Sequence, residues 1–292
     1  MSDIVELGYV TVGVTDPAAF KSFATEVVGC QVGEETADEI LFRHDWSVYR
    51  IRALRAPAND ILAMGWCMPN EEELDAFEEK LKSQGLSPHR GSPAEAAERR
   101  VRQFIALKDP DGITVEIFAG LKLSPSKHFR SPLPIAGFVT GDAGMGHIGI
   151  WTDDLERSVA FYRDHLGMKI TDRVVSERLR AAFLRCNHRQ HSIALVQTPG
   201  PGIIPRRLHH IELEMCELDD VGRAYDLAEA RQIVMITLGK HPAEQALSFY
   251  MHTPAGFAFE LSWGGIHITD DRTPETWHNE DSLWGHRYLG GH

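Results

Sequence analysis

The sequence predicts an α+β chain of four βαβββ modules, two in each half. Three observations carry that prediction. A stretch near residue 8 repeats without a gap near residue 146, both halves end in the same kind of turn and strand, and each half holds a second amphipathic helix. In the repeat, Gly8-Tyr9-Val10-Thr11-Val12 stands against Gly146-His147-Ile148-Gly149-Ile150 as a short strand. Asp16, Phe23 and Gly29 then stand against Asp154, Phe161 and Gly167, all at an offset of 138. An Asp near the N-cap starts a helix, an aromatic covers its buried face, and a Gly supplies the left-handed residue that ends it. A strand follows in each copy, Gln31-Val32 in one and Lys169-Ile170 in the other.

The second helices read as residues 70–82, ended by Gly85, and residues 219–230. At the ends of the halves, Asp109-Pro110-Asp111-Gly112 precedes Ile113-Thr114-Val115-Glu116, and Thr253-Pro254-Ala255-Gly256 precedes Phe257-Ala258-Phe259-Glu260. Each is a turn with Pro at its second position, running into an alternating strand. The offset here is 144, so the second copy carries six extra residues in between. Residues 121–143 carry Pro, Ser and Gly without periodicity and read as a linker. The expected division is 1–135 and 136–292, with residues 264–292 a polar, Trp-containing extension past the last repeat.

Composition narrows the function. With 30 Lys+Arg against 42 Asp+Glu, the net charge is −12, which repels a nucleic-acid backbone. The longest basic clusters, Arg99-Arg100 and Arg206-Arg207, are too short to form a patch. No apolar run approaches the roughly 18 residues of a membrane span, and the first residues lack the pattern of a signal peptide. Cys30, Cys67, Cys186 and Cys216 are scattered with no CxxC, so free thiols in a reducing cytoplasm are expected. The 15 His are distributed unevenly. Only His44, His89 and His128 precede residue 140, and twelve follow it.

Strand alternation gathers some of these histidines. Ile148 and Ile150 point one way and His147 the other; Ile211 and Leu213 share a face with His209, while His210 points oppositely with Glu212 and Glu214. In the last strand Phe257, Phe259 and Leu261 face one way and Glu260 the other. His147, His210 and Glu260 are therefore expected to project into one cavity. Two His and one carboxylate with open positions form the facial triad of non-haem Fe(II) enzymes that handle dioxygen, and Mn(II) suits the same donors. In the first half, Tyr9 takes the place of His147, Ala63 falls near that of His210, and Glu116 matches Glu260. That half is expected to hold no metal. Phe183, Gly149 and Ile148 are candidates for a substrate-binding wall, and His209 is expected on the outer face with the core.

From Gly239 the chain reads Gly-Lys-His241, seven residues, Phe249-Tyr250, Met-His, Thr253-Pro254-Ala255-Gly256, three residues and Glu260. This resembles the signature of the type I extradiol ring-cleavage dioxygenases of the vicinal-oxygen-chelate superfamily and fits it at every defined position. Gly146-His147, the stretch from Phe183-Leu184-Arg185-Cys186-Asn187 to His191-Ser192, Leu208-His209-His210 and Trp284-Gly285-His286 support the resemblance. It covers essentially the whole chain and is nearest to the 2,3-dihydroxybiphenyl 1,2-dioxygenase branch.

The resemblance implies that the modules pair into two barrel-like domains, as in the glyoxalase–bleomycin-resistance–dihydroxybiphenyl dioxygenase fold. It implies Fe(II) as cofactor, an aromatic vicinal diol and O2 as partners, a place in aromatic-compound catabolism, and assembly into a homo-oligomer. It makes His147, His210 and Glu260 the metal ligands, His191 the acid–base near O2, and His241 and Tyr250 the catalytic and substrate-binding groups that orient the diol. His188 competes with His191 for the acid–base role. His165, His252 and His267 are read as structural or surface residues, and His286 has no chemical role derivable from the sequence. The chain departs from biphenyl-type members after His241, where Pro242-Ala243-Glu244-Gln245 replaces Thr-Asn-Asp-His. The segment between Val174 and Phe183 also looks short, which reshapes one wall. A glyoxalase- or thiol-transferase-like relative without O2 chemistry, or a metal-free binding module, is the alternative.

Overall fold

The structure, a computed structural model, describes residues 3–125, 128–270 and 273–289. Its first half contains β1 (Glu6–Val14), α1 (Pro17–Phe23), β2 (Gln31–Glu35), β3 (Glu39–Arg43) and β4 (Ile51–Arg55). The next module runs β5 (Asp60–Met68), α2 (Glu71–Ser83), β6 (His89–Arg90), α3 (Pro93–Glu98), β7 (Gln103–Lys108) and β8 (Thr114–Ala119). The second half repeats the order with β9 (His147–Thr152), α4 (Leu155–Ala160), β10 (Lys169–Val175), β11 (Arg180–Arg185) and β12 (Ile193–Gln197). It ends with β13 (Leu208–Glu214), α5 (Leu218–Ala230), β14 (Val234–Lys240), β15 (Leu247–His252) and β16 (Ala258–Trp263). The α+β class and the four βαβββ modules are as the sequence predicts; the short α3 and a further strand, β17 (Thr276–His278), are additions.

Local chemistry explains the element ends. Asp16 accepts the Ala19 amide at 3.0 Å and Asp154 the Arg157 amide at 3.1 Å, so each caps its helix as expected. Gly29 and Gly167 are left-handed, at φ +89° and +72°. Both first helices also widen into a π-helical turn, at Ala24–Val28 and Phe161–His165. That shared irregularity is a trace of the repeat that hydrophobic spacing does not reveal.

The strands form one sheet per half. The order is β2-β3-β4-β1-β5-β8-β7-β6 in the first and β14-β15-β16-β13-β9-β12-β11-β10-β17 in the second. The first and last long strands of each module pair in parallel, and the two modules of each half meet at an antiparallel pair, β1 with β5 and β9 with β13. One cavity is lined by Val174 from β10 and Ile236 from β14, at opposite sides of the second sheet. That sheet is therefore curled around a hollow. No helix among the described residues is long and apolar enough to cross a membrane.

The outer faces of both sheets share a core. Phe20 and Phe23 of α1 meet Phe257 and Phe259 of the second half edge-on, with ring centroids 5.8 and 5.7 Å apart. Each buried Phe contributes about 1.5–3 kcal/mol. A polar contact adds to this seam. Within the Pro-containing turn, Asp109 accepts the Tyr162 hydroxyl at 2.9 Å, and Asp111 accepts the Ser158 hydroxyl at 2.9 Å.

Burial pushes the Asp109 carboxyl up to about 6. Its folded-state affinity for a proton exceeds that of the unfolded chain, so the linked stabilisation is present in acid and is lost as pH rises through about 6. Asp109→Asn removes that dependence. Between pH 4 and 7 the variant should gain about 2 kcal/mol on the wild type, read by urea unfolding at each pH. A pH-independent difference would contradict this account.

Candidate metal centre

Three neighbouring strands bring the centre together. β13 lies between β9 and β16, and Glu212 on β13 pairs across the ladder with both His147 and Glu260. His210 stands two residues before Glu212, so alternation turns it to the same face. His147 Nε2 and His210 Nε2 lie 2.9 Å apart, and each is 3.4 Å from Glu260 Oε2. Gly149 allows the approach, because a Cβ there would meet the His210 ring at 2.3 Å.

Neighbouring groups set the ring orientations. Glu212 lies 3.2 Å from His147 Nδ1, accepts the His147 amide at 3.1 Å, and is held by the Ser262 hydroxyl at 2.6 Å. Burial opposes charge on both partners, but their mutual attraction outweighs it. His147 is pushed up to about 10 by Glu212 and Glu260, and Glu212 is held down at about 2, with help from Arg189. The point between these carboxylates therefore favours positive charge. His210 is kept neutral by burial and by its His209 and His147 neighbours, leaving its imidazole a competent ligand. Its Nδ1 lies 2.6 Å from His209 Nδ1.

The donors fit a divalent metal ion. Glu260 is fully buried, and neither carboxylate oxygen has a hydrogen-bond partner. Such a carboxylate costs several kcal/mol unless a cation neutralises it. Two convergent imidazole nitrogens and one carboxylate match a site with open coordination positions. The corresponding carboxylate of the first half, Glu116, is also buried, but it accepts Tyr9 at 2.6 Å and Arg99 at 2.6 Å. By ladder register Ala63 and Gly65 occupy the places of His210 and Glu212. A Cβ on Gly65 would strike the Tyr9 ring at 2.4 Å, so tyrosine fills the space that imidazoles and Glu212 occupy in the second half.

The hollow beside the triad is partly enclosed and opens to solvent. His147, His210, His191, His241, Tyr250 and Glu244 line one end, and Val174, Leu179, Ala181, Phe183, Ala194 and Val196 form an apolar wall. His191 rests against His147 at 4.0 Å between ring centroids. Its Nδ1 meets the Gln190 side-chain oxygen and lies 3.3 Å from Glu244, while its Nε2 is buried without a partner. Gln190 is held in turn by Asp172, which His278 of β17 contacts at 2.7 Å. Burial, with His147 nearby, keeps His191 neutral, and burial also pushes the Glu244 carboxyl up. His241 Nε2 lies 3.0 Å from the Tyr250 hydroxyl.

Several expectations need correcting. Ile148 is fully buried in the core on the other face of β9 and does not line the hollow, as its alternation with His147 requires. Gly149 does not line it either, and makes room for His210 instead. His209 is in the wall and not on the outer face, because a β-bulge between Leu208 and His210 breaks the alternation. His188 packs against His267, 4.7 Å away, and leaves the inner position to His191. Glu212 was legible from its spacing to His210, whereas Gln190, Asp172 and the Asp281 carbonyl, 2.7 Å from His241 Nδ1, had no sequence signal. Glu212→Ala should lower metal affinity about 10–100-fold, measured by equilibrium titration with Mn(II) and Fe(II). Unchanged affinity would exclude an orienting role for Glu212.

Residues 144–261 match the Glyoxalase/Bleomycin resistance protein/Dioxygenase superfamily, and residues 7–54 match the dihydroxybiphenyl dioxygenase BphC D1 family. The chain is 38% identical to a 1,2-dihydroxynaphthalene dioxygenase of Sphingobium xenophagum, over 90% of each chain. It is 34% identical to a biphenyl-2,3-diol 1,2-dioxygenase of Paraburkholderia xenovorans, over 97% of this chain and 95% of the relative. An iron-dependent extradiol dioxygenase of Rhodococcus jostii is 33% identical, over 99% and 98%. A crystal structure of catechol 2,3-dioxygenase superposes with a TM-score of 0.91 at 33% identity, covering 99% of this chain and 96% of that one. With its facial donor set and near full-length similarity, the chain belongs to the extradiol dioxygenases of this superfamily.

Proposed function

We propose that this chain is an Fe(II)-dependent enzyme that opens the ring of a vicinal aromatic diol beside its hydroxyl-bearing carbons, using O2. The observation that carries the reading is the buried Glu260 carboxylate, which accepts no hydrogen bond and faces His147 and His210 at one end of a hollow with an apolar wall. An Fe(II) ion held by these three residues would supply Lewis-acid binding of the diol and the redox chemistry that O2 requires. Mn(II) suits the same donors.

The other residues take roles that follow from their contacts. His191 donates its Nδ1–H as a hydrogen bond to the Gln190 side-chain oxygen, which leaves Nε2 bare and able to take a proton from the diol. Tyr250 stays protonated, because burial and nearby Glu260 push its pKa well up; with His241 it holds and orients a diol oxygen. The apolar wall excludes water. Ala181, two residues from Phe183 on β11, and Ala194, the ladder partner of Phe183 on β12, are small residues beside Phe183 in the wall, which supports a bicyclic or 3-substituted diol over a bare catechol. Relatives act on 1,2-dihydroxynaphthalene, biphenyl-2,3-diol and 3-methylcatechol, a range that spans both sizes. Residues 136–292 would form the catalytic domain and 1–135 a metal-free one. Free cysteines support a reducing, cytoplasmic setting, and a homo-oligomer is the expected assembly.

Anaerobic reconstitution with Fe(II), followed by 2,3-dihydroxybiphenyl and air, should give a yellow ring-opened product. No colour from this diol, 1,2-dihydroxynaphthalene or any of several 3-substituted catechols would refute the proposal. In the same preparation His210→Ala should abolish metal retention, whereas His191→Ala should keep the metal and slow turnover. Equal metal loss in both variants would show that His191 does not act apart from the ligands.

A further inference from the structure

We propose that Asp172 is a positioning residue for the ring-opening reaction: it holds the Gln190 amide so that Gln190 sets which edge of the His191 ring faces the hollow. This rests on the reading of His191 as the acid–base of that reaction. It gives a function to a buried polar chain that runs from β17 to the edge of the site.

The chain starts at an irregularity in β10. A β-bulge between Ile170 and Asp172 leaves Thr171 outside the ladder with β11, where Ile170 pairs with Leu184 and Asp172 with Phe183. Regular alternation would send Thr171 and Asp172 to opposite faces of the sheet. The bulge lets both reach the Gln190 side chain, whose Nε2 donates to Thr171 Oγ1 at 3.1 Å and to Asp172 Oδ2. Thr171, Asp172 and Gln190 are all buried. The other Asp172 oxygen, Oδ1, lies 2.7 Å from His278 Nε2 of β17, the strand that pairs in parallel with β10. Both carboxylate oxygens are thus engaged, one toward β17 and one toward the site.

These contacts leave the Gln190 amide one way round. Thr171 gives its hydroxyl hydrogen to the Phe183 carbonyl at 3.1 Å, so toward Gln190 it can only accept. Asp172 offers a second acceptor to the same nitrogen. The Gln190 NH2 therefore faces β10, and its oxygen faces His191 Nδ1. Glu244 Oε2 lies 3.3 Å from that ring nitrogen as well. Packing alone does not orient the ring. His147 and Phe183 crowd it, with centroids 4.0 and 4.9 Å away, but a half-turn of the ring exchanges nitrogen for carbon at almost equal volume. The Gln190 oxygen discriminates, because a carbon in place of Nδ1 would deprive a buried acceptor of this partner. With Nδ1 held at that edge, Nε2 stands where no protein group meets it. Without Asp172 the amide can turn over, and the ring with it.

The test is a double-mutant cycle in the full-length Fe(II) enzyme, read as O2 uptake with 2,3-dihydroxybiphenyl and as iron content. Asp172→Ala should lower kcat about tenfold, with KM for the diol and iron content changed much less. Asp172→Asn, whose side-chain oxygen can still accept from Gln190, should recover most of the lost rate. In a His191→Ala background, Asp172→Ala should cost nothing further, because the group it positions is already gone. An equal fold-loss in both backgrounds, or equal rates for Asp172→Ala and Asp172→Asn, overturns the proposal. If Asp172→Ala does not fold or hold iron, Gln190→Leu, of similar volume, goes through the same cycle and must show the same non-additivity. A second readout does not depend on turnover. In 15N spectra of histidine-labelled, Zn(II)-loaded protein, the His191 ring signals, assigned through His191→Asn, should shift in Asp172→Ala and return in Asp172→Asn. Unchanged signals in Asp172→Ala overturn the proposal too. If the signals respond as expected while the wild type opens no diol, the positioning of His191 stands and the ring-cleavage reading falls.

Discussion

A buried carboxylate in the middle of each sheet is the constraint on which the rest of the architecture depends. Glu116 and Glu260 occupy equivalent strands, β8 and β16, and both are withdrawn from solvent. Each needs a positive or hydrogen-bonding partner, because an isolated charge in so dry a place is too costly to keep. The first half answers with Arg99 and Tyr9, both within 2.6 Å of Glu116. The second half surrounds Glu260 with imidazoles and no donor hydrogen bond. One fold thus holds two solutions to the same electrostatic problem: the first is satisfied by the chain itself, and the second is shaped to take a cation.

What keeps the second solution in place is a layer of polar contacts behind it. Glu212 orients His147, the β-bulge brings His209 to His210, and Gln190 fixes His191 with Asp172 behind it. These contacts matter because a ligand or base that rotates by a few tens of degrees no longer points at its target. The shared core below, with aromatic rings of the two halves in edge-to-face contact, gives those strands a rigid base. The curled sheet leaves one side open, and the segment 276–288 ties its two edges together there.

Much of this was legible in the sequence because the repeat compares the chain with itself. The ungapped match from Gly8 to Gly29 gave the modules, and the substitution of Tyr9 for His147 marked which half lacks ligands. Alternation turned His147, His210 and Glu260 to one face, and the structure brings those three together. The same rule failed at His209, because a bulge adds a residue that no periodicity announces. It also argued against Ile148 as a wall residue, since a neighbour of His147 along the strand must face the core.

By itself the sequence determined the module order, the outlying donor set and the loss of that set in the first half, because period-two strands and capped helices are local properties. Only the tertiary structure decided which groups stand behind the ligands. Asp172 and Gln190 are 18 residues apart, and His241 and Asp281 are 40 apart, yet each pair is in hydrogen-bond contact. Such pairs depend on how sheet edges curl toward each other. These are long-range packing outcomes that no local pattern in the sequence encodes.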